Sequence, residues 1–211
     1  MSLHRRIDYQ SEGFDPADAK PDPFSQWFIW FEQAEEAGCI EPNAMVVSTI
    51  GDDDVPDSRN VLIRGMDDRG LVFYTNYRSN KSSQLAKRSG ASAVFSWLAL
   101  HRQVKFRGRV EQVSADDADR YFASRPRDSQ IGAWASPQSS VIPDRATLDR
   151  AVADVETRYA GVEVPRPPHW GGWRLIPHEV EFWQGRPNRL HDRVRYRRND
   201  TNGWHIERLA P

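Results

Sequence analysis

The stretch AMVVSTI at residues 44–50 opens a series of five β-rich runs. The other four are SRNVLIRG at 58–65, LVFYTN at 71–76, SAVFSWL at 92–98 and QVKFRGRVEQV at 103–113. Turn-forming residues separate several of them, such as GDDD at 51–54 and DDRG at 67–70. Short strands in hairpin succession favour an antiparallel sheet that closes into a barrel. We therefore predict a mainly β fold with added helices.

Helices and further strands are predicted on either side of this series. Phe24, Trp27, Phe28, Phe31 and Ala34 fall at helical spacing, and Gly38 suits the end of that helix. Further helices are predicted at 79–88, 116–124, 129–135 and 145–159, and further strands at 173–176, 180–184, 193–197 and 204–209. The C-terminal strands would complete the barrel, so we predict a flexible N-terminal arm at 1–22 and a single domain at 23–211.

The composition argues against several broad classes of function. Lys and Arg total 29 against 30 for Asp and Glu, so no basic excess points to nucleic acid or to a membrane surface. The single cysteine, Cys39, can form no internal disulfide, and a cytoplasmic protein is expected. Nucleotide-loop, zinc-protease and nucleophile-elbow motifs are absent from the sequence, and no metal site is expected.

The first candidate site surrounds the start of the helix predicted at 79–88. Thr75 lies near a strand end, and Ser79 and Lys81 lie at a helix N-terminus, where free N–H groups and the helix dipole favour an anion. A phosphate monoester fits this arrangement. A Ser cap beside a solvated Lys explains the same residues.

The second candidate site contains Tyr121, Arg125 and Ser129. Tyr121 and Arg125 are four residues apart, so they are predicted to share a helix face, and Ser129 follows a break at Pro126. Tyr, Arg and Ser together suit the binding of a phosphate group. A structural Arg–Asp pair at a helix end is the alternative interpretation.

The third candidate site contains Arg189, His191 and Arg193. The three residues alternate, so in a strand their side chains would project to one side. Three basic groups on one face repel one another unless an anion or an electron-rich ligand balances them. An exposed hairpin edge, with charges that block aggregation, is the alternative.

In this order, the three clusters resemble the pyridoxine (pyridoxamine) 5′-phosphate oxidase family. The resemblance runs from about residue 27 to residue 211. It rests on four matches, SRPRDSQIGAW at 124–134, VEFWQG at 180–185, RLHDR at 189–193 and ERLAP at 207–211. It implies the family fold, a Greek-key-like antiparallel split barrel flanked by helices, which binds FMN at a homodimer interface.

The resemblance also assigns roles to individual residues. The expected FMN contacts are Arg59, Val61, Leu62, Tyr74, Thr75, Lys81, Gln103, Gln138, Ser139, Trp183 and Arg193, some of them across the dimer. The substrate phosphate would be bound by Arg64, Tyr121, Arg125 and Ser129. Arg189 and His191 would flank the pyridine ring of the substrate and act as the catalytic residues.

The activity implied by the resemblance is an FMN-dependent oxidation. Pyridoxamine or pyridoxine 5′-phosphate would become pyridoxal 5′-phosphate, with dioxygen as acceptor and hydrogen peroxide as product. The partners would be the phosphorylated B6 vitamer, dioxygen and a second copy of the chain, with no nucleic acid and no membrane. Two alternatives stay open: another flavin or deazaflavin oxidoreductase on the same barrel, and a protein that binds FMN or pyridoxal phosphate without turnover.

The chain departs from the family pattern at two positions. The family usually has Lys at the position of Arg64, so the charge is kept while the shape of the group changes. It usually has Arg at the position of Asn80, so one cation near the flavin phosphate is lost and weaker FMN retention is expected.

Overall fold

The computed structural model describes Tyr9, residues 11–201 and residues 203–211. The helices in this part of the chain are α1 (Pro23–Glu36), α2 (Asn80–Lys87), α3 (Ala115–Ala123), α4 (Arg127–Ala135) and α5 (Arg145–Arg158). The strands are β1 (Ala44–Ile50), β2 (Pro56–Leu62), β3 (Gly65–Asp67), β4 (Gly70–Asn76), β5 (Gly90–Trp97), β6 (Arg102–Gln112), β7 (Trp170–Gln184), β8 (Asp192–Arg198) and β9 (Trp204–Leu209). Short 3₁₀ turns lie at Leu98–Leu100 and Pro187–Arg189.

The strands form one curled sheet with the order β2-β1-β5-β6-β7-β4-β3, and β8 and β9 extend it from β7. Every strand pair in the described residues is antiparallel. Strand β7 is shared, because its first half pairs with β4, its second half pairs with β8, and β6 runs along its other edge. The predicted antiparallel barrel is confirmed, and β7 is the element that links its two parts.

The two strands predicted at 173–176 and 180–184 are one continuous strand, so that part of the prediction is wrong. Pro177 lies inside β7, where it has no N–H to donate to the sheet. The partner strand changes register between Arg107 and Gly108, so that Gly108 faces Pro177 and Arg107 faces Glu179. This bulge leaves His178 as the extra residue and lets the strand continue past the proline.

Two hydrophobic clusters fix the position of the helices. The larger cluster lies between the sheet and α1, whose Trp27 and Trp30 are buried. Asp22 caps this helix by accepting from the N–H groups of Phe24 and Ser25. The smaller cluster holds α3, α4 and α5 against the start of β7, where Trp170 is buried. The helices at this end of the sheet therefore form one wall of any cleft that opens there.

The N-terminal arm is only partly described, because residues 1–8 and 10 lie outside the described residues. Phe14, in the described part, is buried against Trp30 and Phe182, and its N–H donates to Asp192 at 3.1 Å. This part of the arm therefore contributes to the core, while the flexibility of the arm and the domain division stay predictions. Within the described residues, none of the helices has both the length and the apolar character needed to cross a membrane.

Candidate active site

A cleft of about 710 Å³ opens between α3, β4 and the start of β7. Its walls bring together all four residues expected to bind the substrate phosphate, Arg64, Tyr121, Arg125 and Ser129. The same walls contain six of the expected flavin contacts, Val61, Leu62, Tyr74, Thr75, Lys81 and Gln138. Residues from β2, β4, α2, α3 and α4 thus converge on one cleft, which we call the phosphate cleft.

Tyr121 and Arg125 reach this cleft by a different route from the one predicted. Helix α3 ends at Ala123, so the two residues do not share a helix face and that prediction is wrong. Pro126 disfavours the helical conformation for Arg125, which precedes it, and α4 begins at Arg127. The break places Arg125 on the loop between two helices, in the wall of the cleft.

Arg125 is a cation without a carboxylate partner among the described residues. Its Cζ lies 4.7 Å from the centroid of the Trp170 ring and 5.6 Å from that of Phe122. Its Nη1 is buried and makes no hydrogen bond within the described structure. Burial lowers the pKa of Arg125, with a further lowering from Arg64, although the group stays charged at neutral pH. A buried donor with no partner at the wall of a cleft favours an anionic ligand.

A second group of donors lies beside the start of α2. Lys81 Nζ donates to Gln138 Oε1 at 2.9 Å and to Thr75 Oγ1 at 3.3 Å. Burial lowers the pKa of Lys81, and the nearby guanidinium of Arg59 lowers it further. Arg59 itself is paired with Asp57 at 2.5 Å. Two cations and a hydroxyl in partly buried positions match the oxygens of a phosphate group.

The start of α2 does not use its serine as a cap. Ser79 Oγ donates to the carbonyl of Asn76 at 2.7 Å and accepts no helix N–H group. The N–H of Asn80 instead donates to Ser139 Oγ at 3.3 Å. The Ser-cap interpretation is therefore wrong, and Ser139, an expected flavin contact, lies at the start of α2.

A separate row of residues crosses β6, β7 and β8 near the far end of β7. Gln103 pairs with Trp183, and Trp183 pairs with Arg193, so three expected flavin contacts lie side by side. Arg193 donates to Glu181 Oε1 at 2.7 Å and to the Ala210 carbonyl at 2.9 Å. We call this row, together with the loop before β8, the C-terminal row.

Glu181 is a residue of this region that sequence reasoning missed. Burial opposes its ionisation, but Arg193 and Lys105, each 2.7 Å away, outweigh that effect and lower the pKa of the carboxyl. The ion pair in turn raises the pKa of Arg193. The available signal was an acidic residue between the apolar Val180 and Phe182 in the strand predicted at 180–184, because a charge buried there needs cationic partners.

Arg189 and His191 lie on the loop before β8, which begins at Asp192, so the prediction that they alternate with Arg193 along a strand is wrong. Asn188 and Arg189 have positive φ values of 55° and 62°, which turn the chain out of an extended path. His191 Nδ1 accepts from the N–H of Arg186 at 3.1 Å, and its ring centroid lies 4.6 Å from that of Trp183. Burial lowers the pKa of His191, and Arg189 adds to the effect.

Tyr9 was also missed, because a lone aromatic residue in a polar arm carries no periodic signal. Its ring stacks on His101 at 4.1 Å and lies 5.8 Å from His191 and 6.2 Å from Trp183. Ser11 follows along the same surface and donates to the Gly185 carbonyl. The described part of the arm therefore covers the loop that carries Arg189 and His191.

The phosphate cleft and the C-terminal row lie at opposite ends of β7. Trp170 starts this strand at the cleft, and Trp183 lies near its end, in the row. At roughly 3.3 Å per residue the strand path between them is about 40 Å. The residues expected to bind one flavin are thus divided between two places on the chain.

Comparisons with known proteins match nearly the whole chain. Residues 31–159 match the family described as pyridoxamine 5′-phosphate oxidase. The chain belongs to this family. Residues 170–211 match the C-terminal dimerisation region of pyridoxine 5′-phosphate oxidase, and this region contains β7 and all of the C-terminal row except Gln103.

Curated relatives in the pyridoxamine 5′-phosphate oxidase family cover the chain from end to end. A pyridoxine/pyridoxamine 5′-phosphate oxidase of Burkholderia vietnamiensis is 54% identical over 208 residues, which is 98% of this chain and 97% of the relative. The protein of the same name from Gloeothece citriformis is 50% identical over 206 residues, or 98% and 96% of the two chains.

Solved structures agree on the fold. PhzG from Burkholderia lata, in complex with tetrahydrophenazine-1-carboxylic acid, is 30% identical with a TM-score of 0.89 and covers 97% of this chain and 100% of its own. An FMN-binding protein from Nostoc punctiforme, related to pyridoxamine 5′-phosphate oxidase, is 17% identical with a TM-score of 0.72 and covers 91% and 100%. The second likeness concerns the fold alone, and it supports the split barrel.

Proposed function

We propose that this member of the pyridoxamine 5′-phosphate oxidase family oxidises pyridoxamine and pyridoxine 5′-phosphate to pyridoxal 5′-phosphate. The amine consumes dioxygen and water and releases ammonia and hydrogen peroxide, whereas the alcohol consumes dioxygen and releases hydrogen peroxide. One observation supports this function best: the buried, unpartnered Nη1 of Arg125 at the wall of a cleft that Arg64, Tyr121 and Ser129 also line. These donors suit the phosphate dianion that both substrates carry.

FMN is the proposed cofactor, and the residues present fit it. Lys81, Arg59 and Thr75 supply the charge and hydroxyl chemistry for its phosphate. Gln103 can donate to and accept from the edge of a flavin ring, and Trp183 offers an apolar surface beside it. When bound, FMN supplies two-electron redox chemistry that no protein side chain provides.

His191 and Arg189 are proposed to orient the substrate ring. Because His191 Nδ1 accepts from the Arg186 N–H, the proton of the neutral imidazole resides on Nε2. His191 therefore presents a donor from Nε2 at neutral pH, and the lowered pKa keeps it uncharged. The exposed guanidinium of Arg189 adds positive charge on the same loop. Orientation of this kind supplies a large share of the rate enhancement in such reactions.

The proposed site needs two copies of the chain. The phosphate cleft and the C-terminal row lie at opposite ends of β7, about 40 Å apart along the strand path, and each flavin is proposed to contact the cleft of one protomer and the row of its partner. The match of residues 170–211 to a dimerisation region supports a homodimer. A two-fold axis would bring the cleft of one protomer to the row of its partner, twice per dimer.

A phenazine-type oxidation is a second candidate, because the chain is 30% identical to PhzG along nearly its whole length. A tricyclic carboxylate carries one negative charge and needs a wide apolar site. The phosphate cleft instead contains two arginines, a lysine and two serines. The charge in the cleft therefore favours a phosphorylated substrate.

One assay separates the candidates. FMN-saturated protein is mixed with pyridoxamine 5′-phosphate in air, and pyridoxal 5′-phosphate and hydrogen peroxide are measured together. We expect equal amounts of both products. Tetrahydrophenazine-1-carboxylic acid is tested in parallel. Oxidation of that compound alone would refute the proposal, and flavin binding without oxidation of either compound would indicate a non-catalytic binding protein.

A further inference from the structure

Trp170 is a cleft residue without a role in the site described above. It is the first residue of β7 and is only 5% exposed. Its carbonyl accepts from Arg166 Nη1 at 2.7 Å, and its ring lies nearly parallel to those of Tyr74 and Tyr121, at 10° and 9°. A ring held by strand pairing, an anchored carbonyl and two flat neighbours has little freedom to move.

The position of this ring is fixed relative to Arg125. The guanidinium Cζ lies 4.7 Å from the Trp170 centroid, within the range of a cation–π interaction. Phe122 provides a second, more distant ring at 5.6 Å. No carboxylate in the described residues pairs with Arg125, whereas Arg193 and Arg59 each pair with one.

Whether an aromatic ring or a carboxylate lies against an arginine affects how strongly that arginine attracts an anion. A carboxylate orients an arginine but neutralises its charge, so it competes with an incoming phosphate. An aromatic face attracts the cation through its quadrupole and leaves the N–H groups at the edge of the guanidinium free. The full charge of Arg125 then remains available to a dianion.

We propose that Trp170 is a positioning residue that holds Arg125 by its ring face, so that a phosphate dianion meets an oriented and uncompensated guanidinium. The inference rests on the proposed function, because it concerns the same substrate class. It assigns to Trp170 the preference for phosphorylated over unphosphorylated substrates, with no contribution to the oxidation step itself.

The test uses FMN-saturated protein with Trp170→Phe and Trp170→Leu. The dissociation constant of inorganic phosphate is measured by calorimetry, and KM and kcat are measured with pyridoxamine 5′-phosphate and with pyridoxamine. For Trp170→Leu we expect phosphate binding to weaken by about threefold to thirtyfold, and KM for the phosphorylated substrate to rise by a similar factor. We expect kcat, and kcat/KM for pyridoxamine, to stay within about twofold of the parent. Trp170→Phe should lie between the parent and Trp170→Leu.

Trp134→Leu is the matched control. Trp134 packs against the same small hydrophobic cluster and lies 5.2 Å from the guanidinium of Arg158, but it does not line the phosphate cleft. Its substitution should leave phosphate binding unchanged. If Trp170→Leu does not fold, fluorinated tryptophans are incorporated at position 170. They keep the shape of the ring and weaken its quadrupole, so phosphate affinity should fall with each added fluorine.

Three results would overturn the inference. They are unchanged phosphate affinity in Trp170→Leu, unchanged affinity across the fluorinated series, and an equal loss of kcat/KM for pyridoxamine and its phosphate. Phosphate binding that needs both Arg125 and Trp170, in a protein that does not oxidise pyridoxamine 5′-phosphate, would refute the proposed function and support this inference. Oxidation of pyridoxamine 5′-phosphate with the same KM in the parent and in Trp170→Leu would support the proposed function and refute this inference.

Discussion

At the scale of single residues, the arginines of the proposed site have two kinds of neighbour, a carboxylate or an aromatic ring. Arg193 pairs with a buried carboxylate, Glu181, at 2.7 Å, which fixes its position and offsets its positive charge. Arg125 has aromatic neighbours and a free buried Nη1. The first arrangement suits a group that shapes a cofactor site, and the second suits a group that binds an anion.

Arg125→Ala should raise KM for pyridoxamine 5′-phosphate about tenfold to a hundredfold, since a lost charge-assisted contact costs about 1.5–3 kcal/mol. Arg127→Ala is the control, because Arg127 donates to the Tyr159 and Val162 carbonyls instead of lining the cleft. Steady-state kinetics on both variants measure the effect. Unchanged kinetics in Arg125→Ala would show that the phosphate binds elsewhere.

Arg64→Lys should keep activity within about tenfold of the parent. Arg64 is exposed in the wall of the cleft, so the substitution keeps the charge and loses only the forked geometry. Arg64→Gln, which removes the charge, should be the more damaging change and serves as the comparison. Complete loss of activity in a folded Arg64→Lys protein would contradict the assignment of Arg64 to simple charge binding.

His191 should control the acidic limb of the pH–rate profile. Burial first, and Arg189 second, lower the pKa of His191 from its usual 6.5, so the neutral imidazole is present at neutral pH and is lost as the pH falls through this lowered pKa. His191→Ala should lower turnover and remove this limb while FMN affinity stays close to that of the parent. Arg189→Gln removes a repelling charge, so the limb should move to higher pH. His178→Ala is the control, because His178 is an exposed histidine on β7 and its substitution should leave the pH–rate profile unchanged. An acidic limb that persists in His191→Ala would refute the assignment of that limb to His191.

At the scale of elements, β7 controls the architecture of both proposed half-sites. Its start carries Trp170 and packs under the tyrosines of the cleft, and its end carries Glu181 and Trp183. Gly172 lets the Tyr74 ring lie close to the strand, because a Cβ there would come within 2.8 Å of Tyr74 Cε1. The Tyr74 ring in turn stacks on Tyr121 at 4.0 Å.

Gly172→Ala should therefore destabilise the protein by roughly 1–3 kcal/mol, as overpacking of a core usually does. The displaced Tyr74 should also disturb Tyr121 and raise KM for the phosphorylated substrate. Gly90→Ala is the control, since a Cβ at Gly90 would meet no atom within 4 Å. Thermal unfolding and steady-state kinetics measure the two effects. Equal melting temperatures for the two variants would show that the strand relaxes without cost.

At the scale of the whole molecule, the proposed composite site requires a homodimer, which the match of residues 170–211 to a dimerisation region supports. If each site combines the cleft of one protomer with the row of its partner, a substitution in the cleft and a substitution in the row damage different halves of that site. The purified protein is expected to be a yellow homodimer.

This arrangement predicts complementation between defective chains. Arg125→Ala damages the phosphate cleft and Arg193→Ala damages the C-terminal row, so each homodimer has two damaged sites. In dimers re-formed from an equal mixture, about half are mixed, and each of those has one intact site, so about a quarter of the parent activity should return. Mixing two batches of Arg125→Ala alone is the control. No recovery, in samples shown by mass spectrometry to contain mixed dimers, would place both groups in one protomer.

The sequence by itself determined the class of fold and predicted the residues of the candidate site. Alternating apolar residues and turn signals are local, so strands β1 and β9 were predicted with their observed bounds, 44–50 and 204–209. The resemblance supplied candidate residues for both places, because SRPRDSQIGAW, which lies at the cleft, and RLHDR, which lies in the C-terminal row, are contiguous motifs. Local patterns failed where a distant partner decides the conformation, as at Pro177, where the bulge on β6 lets β7 continue.

Only the tertiary structure decided which groups are paired and which are free. The Ser79 side chain does not cap α2, because its hydroxyl donates to the Asn76 carbonyl. Arg189 lies outside β8, because the chain turns at Asn188. Glu181, Tyr9 and Trp170 acquire their proposed importance from neighbours far away in sequence, Arg193, His191 and Arg125. A sequence states the charge of Arg125, but whether a carboxylate or an aromatic ring lies against it depends on how helices α3 and α4 pack onto β7.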